Sequence, residues 1–497
     1  MLPHRVPAGV LALLLFRAAA DGDGLPGYSD AEETEVEDMA LLQQKTHLRF
    51  PNSTTAPYLI PLRRELSPVI RRGRVVSHRA SYSGLIRVGQ PAQEFRVVFD
   101  TGSAHVVLPS VACGSTACMK HVRYDIWASE TGEAIYLDGR AVPPGRVGES
   151  VTIGFGTARV TGDFVRERIC FGPVAKQGEK PGPCVRSQAV MATEMSARPF
   201  EQFGFDGIVG LGLPALALNG NFSLFDQLAR SGQAALPRFG FFLAEGDDGE
   251  AGEIAVGGHN PERLLEPISW VPTAKPELGY WQVKILAVHI NGMKMDICAG
   301  GDCHGILDSG TSHLGIPSAA SDTFNELLTQ PAGGAQDCRR VDAPAVLLEL
   351  SGLNITLYPE NYMRLKPLPP DILGDANITV SPQVVLQDSP VREDAGDASQ
   401  ADNATLTQEL LCTPKLLPVS WPEPVGPNVF ILGEPVLQRY YTVFDWAGHR
   451  AGFALASHLR PPRREPERTP PERPATQLQD DLVVLLQVTV SVVAHRH

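Results

Sequence analysis

"VVFDTGSAHVVLPS" at residues 97–110 returns as "GILDSGTSHLGIPS" at residues 305–318. Aligned on Asp100 and Asp308, Gly102 meets Gly310, His105 meets His313, Pro109 meets Pro317 and Ser110 meets Ser318. Elsewhere like replaces like: Thr101 with Ser309, Ser103 with Thr311, Val106 with Leu314, Leu108 with Ile316. The copies lie 208 residues apart, too far for a solenoid and right for the two lobes of a bilobal protein. A weaker repeat follows each copy: "FDGIVGLGLP" after the first and "VFILGEPVL" after the second, centred on Gly210 and Gly433.

The repeated turn has a chemical reading. An acid after "VVF" or "GIL" ends an apolar strand, where a lone carboxylate is costly to bury. A glycine two residues on lets the backbone turn and bring amide N–H groups to that carboxylate. The hydroxyls of Thr101, Ser103, Ser309 and Thr311 add donors. One such Asp alone reads as a turn cap. Two with matched hydroxyls read as loops meeting on a pseudo-twofold axis, their carboxyls about 3 Å apart and sharing one proton. One carboxylate is then a general base on a water between them, and the other, protonated, polarises a carbonyl. This scheme needs no metal, no cofactor and no covalent intermediate. His105 and His313 sit among apolar residues just past each turn and read as partly buried, satisfied histidines. The chain has no G-x-S-x-G elbow and no H-E-x-x-H.

Composition sets the frame. The chain has 497 residues, 43% of them hydrophobic, enough for two domains or more. Its 43 basic and 56 acidic residues give a net charge of -13, which argues against a nucleic-acid partner. No apolar run reaches the roughly 18 residues of a bilayer-spanning helix, so no membrane anchor is expected. Arg5, the apolar stretch Val6 to Phe16 and the alanines 18–20 read as a signal peptide over residues 1–20. The chain has eight cysteines and five glycosylation sequons, at Asn52, Asn221, Asn354, Asn377 and Asn403. Together with the signal these favour the secretory pathway and four disulfides, ending outside the cell or in an acidic vacuole or lysosome. The competing reading of Cys113-x4-Cys118-x2-His121 and Cys298-x4-Cys303-His304 is a zinc site.

Between these features the chain divides readily. Residues 21–38 carry eight acids and no base, whereas residues 61–80 carry six arginines against the single acid Glu65. From Tyr82 onward short β-rich runs alternate with Gly and Pro. "NFSLFDQLARSG" is a clear helical pattern, capped by Asn221 or Ser223 and stopped by Gly232. Residues 366–408 read as an exposed insertion, residues 461–474 as a Pro/Arg/Glu linker, and Leu482 to Ala494 as a β-strand or apolar tail.

Over roughly Tyr82 to Leu455 the sequence resembles a pepsin-type (family A1) aspartic protease. "YSGLIRVGQPAQEFRVVFDTGS", "GYWQV", "GILDSGTS" and "FILGEPVLQRYYTVFDWAGHRAGFA" follow that family's order. The resemblance implies an all-β, bilobal pepsin-like acid protease fold with a central active-site cleft. It implies Asp100 and Asp308 as the catalytic pair, supported by Thr101, Gly102, Ser103, Ser309, Gly310 and Thr311. Thr101 and Ser309 would form a crossed hydroxyl grip, and Gly210 and Gly433 would line the loops each active-site strand threads. Disulfides Cys113–Cys118, Cys298–Cys303 and Cys338–Cys412 would match the family's, leaving Cys170 with Cys184. An acidic then basic prosegment at 21–79, including "IPLRR", would inhibit a first lobe at 80–272 and a second at 273–460, with residues 461–497 as linker and tail. Its arginines would hold it across the cleft until acid weakens their carboxylate partners, with a cut between Arg64 and His78. The expected substrate is an extended polypeptide, handled by a monomer.

Two departures concern the flap, which in the family reads Tyr-Gly-Thr-Gly. Here "VTIGFGTARVTG" places Ile153 at the tyrosine, followed by Gly154 and Phe155 as the expected flap and substrate-binding residues. The tryptophan that partners this tyrosine is replaced by Val107. The two losses are coupled, and closure through apolar contact is expected. A second reading is a catalytically weak or inactive pepsin-like peptide-binding protein. Such relatives lose an acid of the pair or its glycine, and here both are intact.

Overall fold

The strands that carry the two Asp-Thr/Ser-Gly turns are covered on both faces. In Gln93–Asp100 the last four residues are all buried, and His304–Leu307 is buried throughout. That double burial explains why "VVF" and "GIL" are unbroken apolar runs rather than alternating ones. The computed structural model describes residues 56–71, 74–155, 158–245, 249–370, 409–459 and 490–493. The signal segment, the acidic stretch, Asn52, Asn377, Asn403, residues 371–408 of the insertion and the 461–474 linker lie outside them.

The architecture is all-β and bilobal, built on a fifteen-stranded and an eight-stranded sheet. The same four-strand path occurs once in each. Gln93–Asp100 pairs parallel with Gly207–Gly210, which pairs antiparallel with Val106–Pro109, itself parallel to Cys184–Met195. In the eight-stranded sheet, His304–Leu307 pairs parallel with Val429–Leu432, which pairs antiparallel with Leu314–Pro317, itself parallel to Leu416–Val419. The sequence repeat is therefore a repeat of topology.

The larger sheet runs across the sequence division expected at residues 272–273. Arg238–Phe242 pairs with Tyr440–Asp445 from the far end of the chain, and Ser269–Pro272 with Arg450–Leu455. Aromatic rings fill this junction: Phe239 stacks on Phe444 at 4.8 Å, and Trp281 meets Phe444 edge-on at 5.3 Å. Each such ring, fully buried, contributes about 3 kcal/mol by removal of apolar surface from water.

Strands Tyr58–Arg71 and Arg74–Val88 pair as one long hairpin, the second strand crossing the division expected at 79–80. Strand Tyr58–Arg71 pairs through residues 58–62 with Gly252–Val256 and through residues 63–71 with Arg74–Val88. Ile60 and Leu62 are buried in the main core. The helix read in "NFSLFDQLARSG" spans Leu224–Ser231, with Ser223 at its N-cap and Gly232 ending it at φ 69°. Four disulfides close Cys113–Cys118, Cys170–Cys184, Cys298–Cys303 and Cys338–Cys412. The last joins residues 74 apart, and in the chain-entropy account so long a loop stabilises by about 4 kcal/mol. Near the C-terminus Val490–Val493 forms a strand antiparallel to Ser150–Phe155. Among the described residues no helix is long and apolar enough to cross a membrane.

Candidate active site

Asp100 and Asp308 end their strands on facing turns. Asp100 receives the Gly102 amide on Oδ1 at 2.9 Å and the Ser103 hydroxyl on Oδ2 at 2.5 Å. Asp308 receives the Gly310 amide on Oδ1 at 2.8 Å and the Thr311 hydroxyl on Oδ2 at 2.7 Å. Each turn's glycine passes over the other turn's carboxyl. A Cβ on Gly102 would lie 2.9 Å from Asp308 Oδ1, and one on Gly310 2.6 Å from Asp100 Oδ1. Each carboxyl thus lies against the other turn, beside its counterpart. Burial pushes Asp308 well above the usual carboxylate range, and the neighbouring charge of Asp100 pushes it further.

Beneath the carboxyls the turns grip each other. Thr101 Oγ1 donates to the Leu307 carbonyl at 2.8 Å and accepts the Ser309 amide at 3.0 Å. Ser309 Oγ donates to the Phe99 carbonyl at 2.7 Å and accepts the Thr101 amide at 3.0 Å. Behind each turn a glycine strand closes in. A Cβ on Gly210 would lie 2.5 Å from the Ala104 backbone, and one on Gly433 2.4 Å from the Thr311 and His313 carbonyls. Only glycine allows these approaches.

The flap positions lie on the hairpin Ser150–Phe155 and Ala158–Phe171. Ile153 is fully buried, in one apolar cluster with Val107, Phe164 and Phe222. Both positions of the coupled replacement read in the sequence thus belong to one apolar core. Gly154 is half-buried, and the Phe155 side chain lies outside the described residues. The histidines are buried: His105 Nε2 accepts the Leu218 amide at 3.0 Å, and burial pushes its pKa down to about 4. His313 is driven down by burial, then by the charges of Arg364, Lys415 and Arg79. Asn221 and Asn354 are exposed.

Sequence reasoning missed three features. Tyr280, within the quoted "GYWQV", is pushed up to about 12 by burial, then by the charges of Asp308 and Asp100. Its ring meets Trp421 at 5.6 Å. A second feature joins residues 370 apart: Arg64 Nη2 bonds Glu434 Oε1 at 3.1 Å, beside Gly433. The Tyr82 hydroxyl accepts from Arg64 Nε at 3.1 Å and from Gln438 Nε2 at 2.7 Å. The third is a pocket of about 100 Å³ opening beside Asp100 and residues 309–313, with Phe200, Phe203, Phe205 and Ile208 along its apolar wall. Among the described residues no group of three or more His, Cys, Asp or Glu is placed to hold a metal ion.

A family model for eukaryotic aspartyl protease matches residues 81–368. The chain is similar to cathepsin E of Rattus norvegicus, 28% identical over 380 residues, which are 76% of this chain and 80% of that protein. It is similar to pepsin A-5 of Mus musculus, 28% identical over 376 residues, 76% of this chain and 81% of the relative. It is also similar to renin of Canis lupus familiaris, 30% identical over 381 residues, 76% of this chain and 79% of the relative.

Proposed function

This chain belongs to the eukaryotic aspartyl protease family and is an aspartic-type endopeptidase, and on that premise we propose that Asp100 and Asp308 are its catalytic pair. The observation that carries the reading is the reciprocal placement of two carboxyls, each under the other turn's glycine. Asp308, fully buried, holds the shared proton. Asp100 takes a proton from a water lying between them. As the water oxygen bonds to the scissile carbonyl carbon, Asp308 gives its proton to the carbonyl oxygen. The tetrahedral diol then collapses. The proton on Asp100 passes to the amide nitrogen, the C–N bond breaks, and a diol hydroxyl returns its proton to Asp308. A carboxylic acid and an amine leave, and the pair is back in its starting state.

Thr101, Ser309, Gly102, Gly310, Ser103 and Thr311 support this reading as positioning residues, because they fix both carboxyls by main-chain and hydroxyl contacts. The substrate is a polypeptide lying extended under the flap hairpin. The chain is made as a secretory zymogen, supported by its four disulfides and its exposed Asn221 and Asn354. The segment before Tyr82 acts as the inhibitory prosegment, cut between Arg64 and His78. The Arg64–Glu434 contact beside the second glycine strand supports its docking at the cleft. Both carboxyls keep their full set of donors, which weighs against an inactive binding protein.

The test is proteolysis of denatured haemoglobin at acid pH. Parent protein should cleave it, pepstatin should block it, and Asp100→Asn and Asp308→Asn should each lower kcat by on the order of 10³-fold or more. Activity retained in either variant, with contaminating protease excluded, overturns the assignment.

A further inference from the structure

The pocket beside Asp100 has one wall unlike the others. Arg79 lines it together with the phenylalanines, on strand Arg74–Val88, directly across the hairpin from Ser67. Two other arginines of this hairpin pair with acids, Arg63 with Glu65 at 3.1 Å and Arg64 with Glu434 at 3.1 Å, while Arg87 donates to the Gly172 carbonyl at 3.2 Å, outside this pocket. Among the described residues no carboxylate lies within ion-pair distance of Arg79. Its guanidinium is half-buried, and burial alone disfavours its charge. The groups facing it do not relieve that cost. His313, which also lines the pocket, is pushed toward its neutral form by burial, then by the charges of Arg364, Lys415 and Arg79, and Lys415 is engaged by Glu434 at 3.7 Å. An unpaired guanidinium beside an apolar wall presents a fork of donors to a planar anion.

We propose that Arg79 is a specificity-determining residue, selecting polypeptide substrates with a carboxylate side chain, Glu or Asp, at the position lodged in this pocket. The inference rests on the assignment of Asp100 and Asp308, since only a peptide bond held at that pair brings a neighbouring side chain into the pocket. The substrate's methylene groups lie against Phe200, Phe203 and Phe205 while its carboxylate reaches the guanidinium. A glutamine of the same shape leaves the charge unpaired, and that difference is the discrimination. Arg79 lies beyond the proposed maturation cut and stays with the enzyme. Ser67, its neighbour across the hairpin, lies within the window of that cut.

The test uses peptides identical except for Glu, Gln, Leu or Phe walked through the positions flanking the scissile bond. At pH 5.5, kcat/KM for Glu should exceed that for Gln about ten-fold at one position, between the values for exposed and fully buried charge pairs. Arg79→Gln and Arg79→Leu should bring the ratio close to one, and Arg79→Lys, which keeps charge without the fork, should give an intermediate ratio. Thermal melting of each variant checks folding. Fluorescence anisotropy of the same peptides on the Asp308→Asn protein reads the pocket without catalysis, and there too the Glu peptide should bind about ten-fold tighter. Equal binding and turnover of Glu and Gln peptides at every position overturns the inference. So does a Glu preference that survives Arg79→Leu, or a preference for Phe lost in that variant, which would make Arg79 a stacking surface instead. If the parent cleaves nothing yet still binds Glu peptides selectively, the catalytic assignment fails and the pocket assignment stands.

Discussion

The turn at 97–110 and the turn at 305–318 make the same hydrogen bonds yet rest on different ground. Behind the first lies an apolar layer: His105 packs edge-on to Phe222 at 5.9 Å, and Leu211 follows the glycine Gly210. Behind the second lies charge. Glu434 follows Gly433, tied to Arg64 and Lys415, and His313 feels Arg364, Lys415 and Arg79. Asp100 keeps a 9% exposure, whereas Asp308 has none. The repeated residues thus build a symmetric grip, and the unrepeated residues behind them break the symmetry. On the proposed assignment, that division puts the shared proton on the more deeply buried acid.

The largest effect that probes this comparison comes from the two threaded glycines. Gly433→Ala would press a methyl to 2.4 Å from two carbonyls, one of which also accepts the Glu434 amide at 2.8 Å. Gly210→Ala would press one to 2.5 Å from the Ala104 backbone. Neither neighbour is a flexible side chain, so each variant should lose about 3 kcal/mol or more in urea unfolding. Activity should fall further than stability, because each glycine sets the height of an aspartate turn. A fully active, fully stable Gly210→Ala would break the claimed equivalence of the two strands.

The histidines test the difference in surroundings. Burial lowers the folded-state pKa of His105 to about 4 from an ordinary 6.5. Between those values the unfolded chain binds a proton that the folded chain does not. Folding stability therefore falls as pH drops through that window, by at most about 3 kcal/mol from this group. His105→Gln should flatten the slope of stability between pH 7 and 4. At neutral pH it should lose about 1 kcal/mol for the Leu218 amide contact. His313→Gln should flatten the slope with the same sign. The two differ in salt: part of the His313 shift comes from nearby cations, so high ionic strength should weaken its contribution and spare that of His105. Identical salt responses would remove the charged-against-apolar distinction.

The grip was legible in the sequence because every member lies within three residues of an aspartate and recurs in the second copy. Gly210 and Gly433 were legible for the same reason. Contacts made by distant and unrepeated residues left no such trace. The Arg64–Glu434 bond spans 370 positions, and no local pattern in "IPLRR" points to a partner just after the second glycine. Tyr280 was seen only as part of a motif, since the field of both carboxyls reaches it through the pairing of strand Gln282–Ile290 with His304–Leu307. The flap's register can be aligned from sequence, while the burial of Ile153 depends on packing. With Val107 in place of an indole, the space beneath the flap closes on Ile153 itself.

The smallest effects should come from the grip hydroxyls, and they ask whether symmetry extends to energy. Thr101→Val keeps the side-chain shape and strips the Ser309 amide and the Leu307 carbonyl of a partner. Ser309→Ala does the same to the Thr101 amide and the Phe99 carbonyl. Each leaves buried polar groups unmatched, at a cost of about 2 kcal/mol. The two hydroxyls also sit 3.3 Å apart, so the first loss already loosens what the second would remove. The double variant should therefore fall short of the summed costs by about 1 kcal/mol, a coupling read from a double-mutant cycle in urea. If the single costs match within error, the grip is symmetric in energy and the difference between the turns lies wholly in the layers behind them. If Ser309→Ala costs clearly more, the charged layer around Glu434 also strains the second turn, and the boundary between shared grip and unshared support moves inward to the hydroxyls.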